Sequence, residues 1–269
     1  ALAKLTSGKV HLSVKGKGKS IFKDVKGVSL HQVYGPHPAG NVGVQIGKIS
    51  PINAGERVWT VTPQDVATIG ELFLTGKFNA TRTVALVGSE VKDAQYYNVI
   101  SGAAITDLVA GKIEGDNVRV ISGDVLTGTK VKMDGNLGFL SNTVTVIPEG
   151  NVYRMFGWMP FASPSVHSAS RTGLSWLMPG KKYAPNTNLN GEERALVVTG
   201  EMEAVMPLDI FPMQLLKACL ASDIDKMESL GIYEVAPEDF ALIDYTNTSK
   251  LEAQQIIREA LDLMIKEVG

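Results

Sequence analysis

The sequence predicts an α+β protein of several domains, and three observations carry that reading. Strand patterns and one well-capped helix occupy the first eighty residues. A compact strand–strand–helix–strand module follows at 81–128. From about residue 203 the apolar periodicity turns from two to that of a helix. A glycine- and proline-rich stretch with short strands, 129–198, separates the last two. The chain has 269 residues, and at ~150 residues per domain it is long enough for about two cores.

Taken in order, residues 9–14 and 26–33 alternate as strands, and the basic segment "KGKGKS" between them is expected to be a solvated hairpin turn. "VGVQIGKI", 42–49, reads as a third short strand. Thr62-Pro63 is an N-cap followed by proline at the first helical position. The helix it opens carries Val66, Ile69, Leu72 and Phe73 on one face and stops at Gly76. Strand, strand, strand, helix is part of an α/β layer. In the next module "RTVALVGSEV", "QYYNVI" and "NVRVISGDVLTG" are strands and "AITDLVAG" is a short helix. "NTVTVI" and "RALVV" are short strands of 129–198. At the C-terminus Ser249-x-x-Glu252 is a capping box, and the helix after it shows Leu251, Ile257, Leu261, Met264, Ile265 and Val268 on its apolar face.

Composition excludes several classes. Lys+Arg 26 against Asp+Glu 28 gives a net charge of −2, with no basic excess or charge run to attract nucleic acid. A single cysteine, Cys219, rules out a disulfide framework and fits a reducing compartment. No apolar run approaches the ~18 residues of a membrane span, and no signal peptide is visible. The polar start runs straight into a strand pattern, so a longer protein lacking its N-terminal part is expected.

Few motifs point to chemistry. "KGKGKS" is no phosphate loop, because Ser13 stands where the first glycine of that motif belongs. His11, His31, His37 and His167 fall at no metal-ligand spacing. Cys219, among Leu215, Leu216 and Leu220, reads as an inert buried thiol. No catalytic residue is assigned. The most unusual stretch is "YGPHPAGNVG", 34–43. Pro36 and Pro38 fix the backbone while Gly35, Gly40 and Gly43 free it, with His37 at the tip. It is either a ligand or partner loop or a rigid connection at the end of a sheet. A second odd rhythm lies in "EDFALIDYTNTSK", 238–250, where Phe240, Ile243 and Asn247 stand at intervals of three and four. Those are the intervals of cysteines around an iron–sulfur cluster.

Taken in order, these motifs resemble one family, the NqrA subunits of the Na+-translocating NADH:quinone oxidoreductase. "YGPHPAGNVG" is similar to that family's S-G-P-H-P-A-G loop, with Tyr34 in place of the serine. "VALVGSEVKDAQYYNVISGAAITDLV", 84–109, resembles a soluble-ligand-binding β-grasp (SLBB) module. "RALVVTGEMEAVMPLDIFPMQLLKA" and the last helix resemble the family's C-terminal part. The likeness spans essentially the whole chain. It also bears on the odd rhythm. The related RnfC protein of the Rnf electron-transport complex carries two cysteine runs for clusters, and these fall on Thr199, Met202 and Met206 and on Pro237, Phe240, Ile243 and Asn247. None can serve as a thiolate ligand.

The resemblance therefore implies four regions: a partial Rossmann-like α/β domain at 1–80, the SLBB domain at 81–128, a β-rich return segment at 129–198, and a helical ferredoxin-like domain without cluster cysteines at 199–269. It implies a peripheral component on the cytoplasmic face of the bacterial inner membrane, in a six-subunit complex that couples NADH oxidation and ubiquinone or menaquinone reduction to Na+ export. No metal or cofactor is expected in this chain; flavins and iron–sulfur clusters would sit in partner subunits, with quinone as substrate. Gly35, Pro36, His37, Pro38 and Gly40 are the candidate binding loop. Phe156, Trp158, Phe161 and Trp176, within the aromatic segment 153–179, are the candidate docking surface for the membrane partner NqrB. The alternatives are a stand-alone ligand-binding module and the cluster-bearing RnfC protein, against which the missing cysteines argue.

Overall fold

The structure, a computed structural model, describes residues 1–152, 154–156, 166–169 and 171–269. It is a mixed α/β protein with a mixed sheet and helices at the C-terminus. Two compact units form, one of residues 1–79 with 202–242 and 253–269, the other of 80–201 with 243–252.

The N-terminal part of the first unit begins with a one-turn helix, α1 (Leu2–Leu5), and two strands, β1 (His11–Lys15) and β2 (Ser29–Val33). The strands are parallel, His11 opposite Ser29 and Lys15 opposite Val33. This corrects the expected hairpin, because parallel neighbours need a crossover rather than a tight turn. Residues 16–28 make that crossover through a 3-10 turn at Ile21–Asp24. Lys23 Nζ ties the loop down, donating to the carbonyls of Gly16 (3.1 Å) and Gly18 (2.9 Å).

The segment read as a third strand is a helix, α2 (Val42–Ile49). Eight residues of mixed apolar and small side chains satisfy both periodicities, and packing decides between them. Gly43 and Gly47, four apart, share one helical face; a Cβ on Gly47 would come within 2.7 Å of Leu208 Cδ2. The next helix, α3 (Pro63–Thr75), matches its sequence signals. Thr62 Oγ1 accepts from the Asp65 amide at 3.3 Å, Pro63 is the first helical residue, and Gly76 closes the helix at φ 71°. Its apolar face is open, with Val66, Leu72 and Phe73 all exposed.

The second unit is built on a five-stranded sheet. Its strands are β3 (Thr81–Val87), β4 (Gln95–Ile100), β5 (Val118–Ser122), β6 (Thr129–Val131) and β7 (Thr143–Pro148), in the order β4-β3-β7-β5-β6. β7 is parallel to β3 and antiparallel to β5. A strand in the middle of a sheet has two faces to bury. Val144 and Val146 are fully buried on one face of β7, Thr145 and Ile147 nearly so on the other. The short helix α4 (Ile105–Val109) covers one side with Ile105, Leu108 and Val109, completing a core with Val84, Leu86, Val120 and Leu137. At about 25 cal/mol per Å2 each such fully buried aliphatic side chain stabilises by roughly 1.5–3 kcal/mol. "RALVV" forms no strand; Arg194 N donates to Ser249 O at 2.8 Å instead.

Four helices close the chain: α5 (Pro212–Leu220), α6 (Ile224–Ser229), α7 (Ala241–Thr246) and α8 (Ala253–Glu267). α5 packs on α8, burying Met213, Leu215, Leu216 and Cys219. The expected capping box is also corrected. α8 starts after Glu252, and Ser249 is buried with its hydroxyl on Ala195 O (3.2 Å). The buried stripe of α8 is Ala253, Ile257, Ala260 and Met264, whereas Ile265 and Val268 of the expected apolar face are exposed. Small alanines at that stripe let α8 lie close to its neighbours.

Candidate functional site

The loop 34–43 leaves β2 and enters α2. Gly35 has φ 129°, a conformation that side chains rarely adopt, and the His37–Pro38 peptide is cis. Two turn hydrogen bonds fold the loop, Ala39 N to Pro36 O (2.9 Å) and Asn41 N to Pro38 O (2.8 Å). Gln45 reaches back from α2 and donates to the Gly40 carbonyl at 3.0 Å. Pro38 is partly buried, while Gly35, Pro36, His37 and Gly40 are exposed.

Where the loop becomes helix, it meets the second odd stretch of the sequence. Asp239 lies in the 3-10 turn Pro237–Phe240 and is only 2 % exposed. Its Oδ2 accepts from Ala236 N at 2.9 Å, and its Oδ1 has no hydrogen-bond partner. Burial pushes the carboxyl above the usual carboxylate range. The carboxylate lies beside Gly43 in the first turn of α2. The chemistry available here is that of a buried acid that holds a proton readily, next to a helix amino terminus. Sequence reading found both stretches but not their contact.

The positions at cluster-ligand spacing are filled. Met202, Met206, Phe240, Ile243 and Asn247 are all buried, whereas Thr199 is exposed and Pro237 half-buried. Asn247 is held by its own neighbours, Nδ2 donating to Ile243 O (2.8 Å) and Oδ1 accepting from Leu251 N (3.3 Å). Among the described residues no group of three or more His, Cys, Asp or Glu side chains is arranged to hold a metal ion. No described helix is long and apolar enough to cross a membrane.

Of the candidate docking residues, Phe156 is 45 % and Trp176 54 % exposed, Trp176 in a 3-10 turn at Leu174–Leu177. Trp158 and Phe161 lie outside the described residues. Two features escaped the sequence reading. Trp59 is 92 % exposed, with Leu74, Phe73 and Phe78 also open; an unpatterned tryptophan in "RVWTVTP" was the only signal. The other is an ion cluster at the end of β7. Glu149 accepts from Arg119 Nε (3.1 Å), Lys130 Nζ (3.0 Å) and Thr187 Oγ1 (2.7 Å). The Arg119 hydrogen bonds, chiefly, hold its carboxyl down at about 2.

Comparison with known proteins gives this geometry a family. Residues 1–78, the region of the loop and α1–α3, match the model described as the NqrA second alpha/beta domain. Residues 83–133, from β3 through β6, match that of the NQRA C-terminal domain. The NqrA subunit of the Na(+)-translocating NADH-quinone reductase of Neisseria meningitidis serogroup B is 37 % identical over 267 residues, 99 % of this chain. Its counterparts in Serratia proteamaculans and Klebsiella pneumoniae are 39 % and 38 % identical, again over 99 % of this chain. Both matched models are NqrA domains, and the chain is similar along nearly its whole length to NqrA proteins of Na+-translocating NADH-quinone reductases. It spans 60 % of the length of the Neisseria and Klebsiella NqrA proteins and 59 % of the Serratia one.

Proposed function

We propose that the chain works as part of the NqrA subunit of a membrane complex that couples NADH oxidation and quinone reduction to Na+ export. The observation that carries this is identity of 37–39 % to such proteins across 99 % of the chain. In this reading residues 1–80 are part of a Rossmann-like domain, 81–128 an SLBB module, 129–198 a return segment, and 199–269 a ferredoxin-like helical frame. The buried Met202, Met206, Phe240 and Ile243 support the last assignment, since bulky apolar side chains fill the volume a cluster would occupy. The protein is peripheral, on the cytoplasmic face. Its partners carry the flavins and clusters, and the membrane protein NqrB is the neighbour docked by the segment around Phe156 and Trp176. The quinone-reduction step is the part of the cycle in which it takes part, and the loop Gly35–Gly40 is a rigid connection that sets the start of α2.

Purification of the affinity-tagged protein from detergent-solubilised membranes of the source cells tests this. Co-elution with partners active in NADH oxidation and quinone reduction is expected. A chain that elutes alone, from the soluble fraction, would replace this reading with that of a free-standing ligand-binding module.

A further inference from the structure

Beyond its place in the complex, the second unit holds a cavity of about 300 Å3 between residues 150–152 and 154 on one side and 187–191 on the other. One wall is pinned to the sheet. Gly150 N donates to Thr187 Oγ1 at 2.6 Å, and that hydroxyl donates on to Glu149, just beyond the end of β7. The other wall is tied by Val152 N donating to Asn188 Oδ1 (2.9 Å) and Asn190 Nδ2 donating to Asn188 O (3.2 Å). The cavity is thus held open by hydrogen bonds of its own rim.

Arg154 lines this cavity, and its Nη1 is buried without a hydrogen-bond acceptor. A guanidinium is always charged, and leaving one of its donors buried and unmet is costly. Two carboxylates near it, Glu149 five residues away in sequence and Glu192 on the neighbouring Phe156 amide, are already engaged. Glu149 accepts from Arg119, Lys130 and Thr187. Glu192 accepts from Arg194 (3.0 Å) and from the Phe156 amide (3.1 Å). Both acids are held below their ordinary range by those bonds, so both stay anionic and committed.

We propose that this cavity binds a small oxyanion, a carboxylate or phosphate group, with Arg154 as its charged anchor. A planar guanidinium presents a fork of donors that matches two oxygens of such a group. The uncharged amides of Asn188 and Asn190 supply a polar lining, and no acidic side chain lines the cavity among the described residues. The cavity admits the oxyanion end of a small molecule.

Isothermal titration of the 269-residue chain with sodium phosphate and, separately, sodium succinate, each against sodium chloride at matched ionic strength, tests this. Saturable binding of at least one is expected, and Arg154→Gln should weaken it roughly tenfold or more, the loss of a charged hydrogen bond. Which of the two binds tells phosphate from carboxylate. No saturable heat with either anion overturns the proposal, as does equal affinity in a folded Arg154→Gln variant. Should that variant not fold, phenylglyoxal modification of the unsubstituted chain decides, read by peptide mass spectrometry. The anion should slow modification of Arg154 and leave that of exposed Arg258 unchanged; equal rates with and without anion overturn the proposal.

Discussion

A methyl group on Gly43 would stand 2.5 Å from Oδ2 of Asp239. The first turn of α2 and the 3-10 turn at Pro237–Phe240 meet because one residue lacks a side chain and the other fills the space with a carboxylate. Residues far apart in the chain thereby fix where the Gly-Pro-His-Pro loop ends.

Gly43→Ala should therefore destabilise the protein. In an open helix the change would stabilise by roughly 1 kcal/mol; here overpacking against Asp239 should give a net loss of about 1–3 kcal/mol. Urea unfolding followed by circular dichroism measures it. A variant as stable as the parent would show that the contact is slack.

Asp239→Asn should be neutral or stabilising at pH 7 and should flatten a slope in the stability–pH profile. The carboxyl is raised above its ordinary 3.8 by burial. Between 3.8 and its folded value the native state keeps a proton that the unfolded chain has released, so stability falls as pH rises through that interval. An asparagine still accepts from Ala236 N and has no such transition. Thermal midpoints from about pH 3 to 8 for both proteins would reveal it, and identical profiles would remove Asp239 from consideration as a buried acid.

Glu149 runs the other way. Its carboxyl is depressed from 4.5 to about 2, so its contribution is complete above pH 4.5 and disappears as pH falls towards 2. Glu149→Gln should cost about 1–3 kcal/mol at neutral pH, because it leaves Arg119 and Lys130 without their anion. The loss should shrink on acidification. A penalty independent of pH would mean that packing, not charge, holds this corner.

Cys219 should be inert while the protein is folded. Burial pushes its thiol up to about 11 from the ordinary 9.0, which lowers the thiolate fraction at pH 8 about a hundredfold. Reaction with a disulfide reagent should be slow in buffer and prompt in urea. Rapid labelling of the native chain would contradict the packing of α5.

His37→Ala should leave the fold intact, since the residue is exposed at the tip of its loop. Its effect on quinone reduction in the assembled complex decides what the loop is for: unchanged turnover removes His37 from the chemistry.

Much of the fold was legible where local signals agree. The Thr62-Pro63 start and Gly76 stop of α3 are local chemistry, and so is the alternation in β3 and β7. What failed depended on distant residues. "VGVQIGKI" became helix because Leu208 and Asp239 receive its glycine face. Ser249 lost its capping role because Ala195 and Arg194 claim its hydroxyl and its carbonyl. Parallel pairing of β1 with β2 is a matter of topology, to which alternation alone is blind. At the candidate site the proline–glycine loop could be found by composition. The buried carboxylate facing it could not, since an aspartate in "PEDF" looks like any solvated turn residue.

β7 is the last strand of its sheet to be made and the one in the middle. Until residue 148 leaves the ribosome, no strand ladder joins the β3–β4 pair to the β5–β6 pair. The edges of β3 and β5 that later receive β7 are meanwhile open to any passing strand. A nascent chain stalled before β7, or a product cut at residue 133 where similarity to the C-terminal domain model ends, would lack the strand that joins the two half-sheets. β7 is the keystone of the sheet, and the two edges it joins are open to misassociation in the interval between synthesis of β6 and of β7.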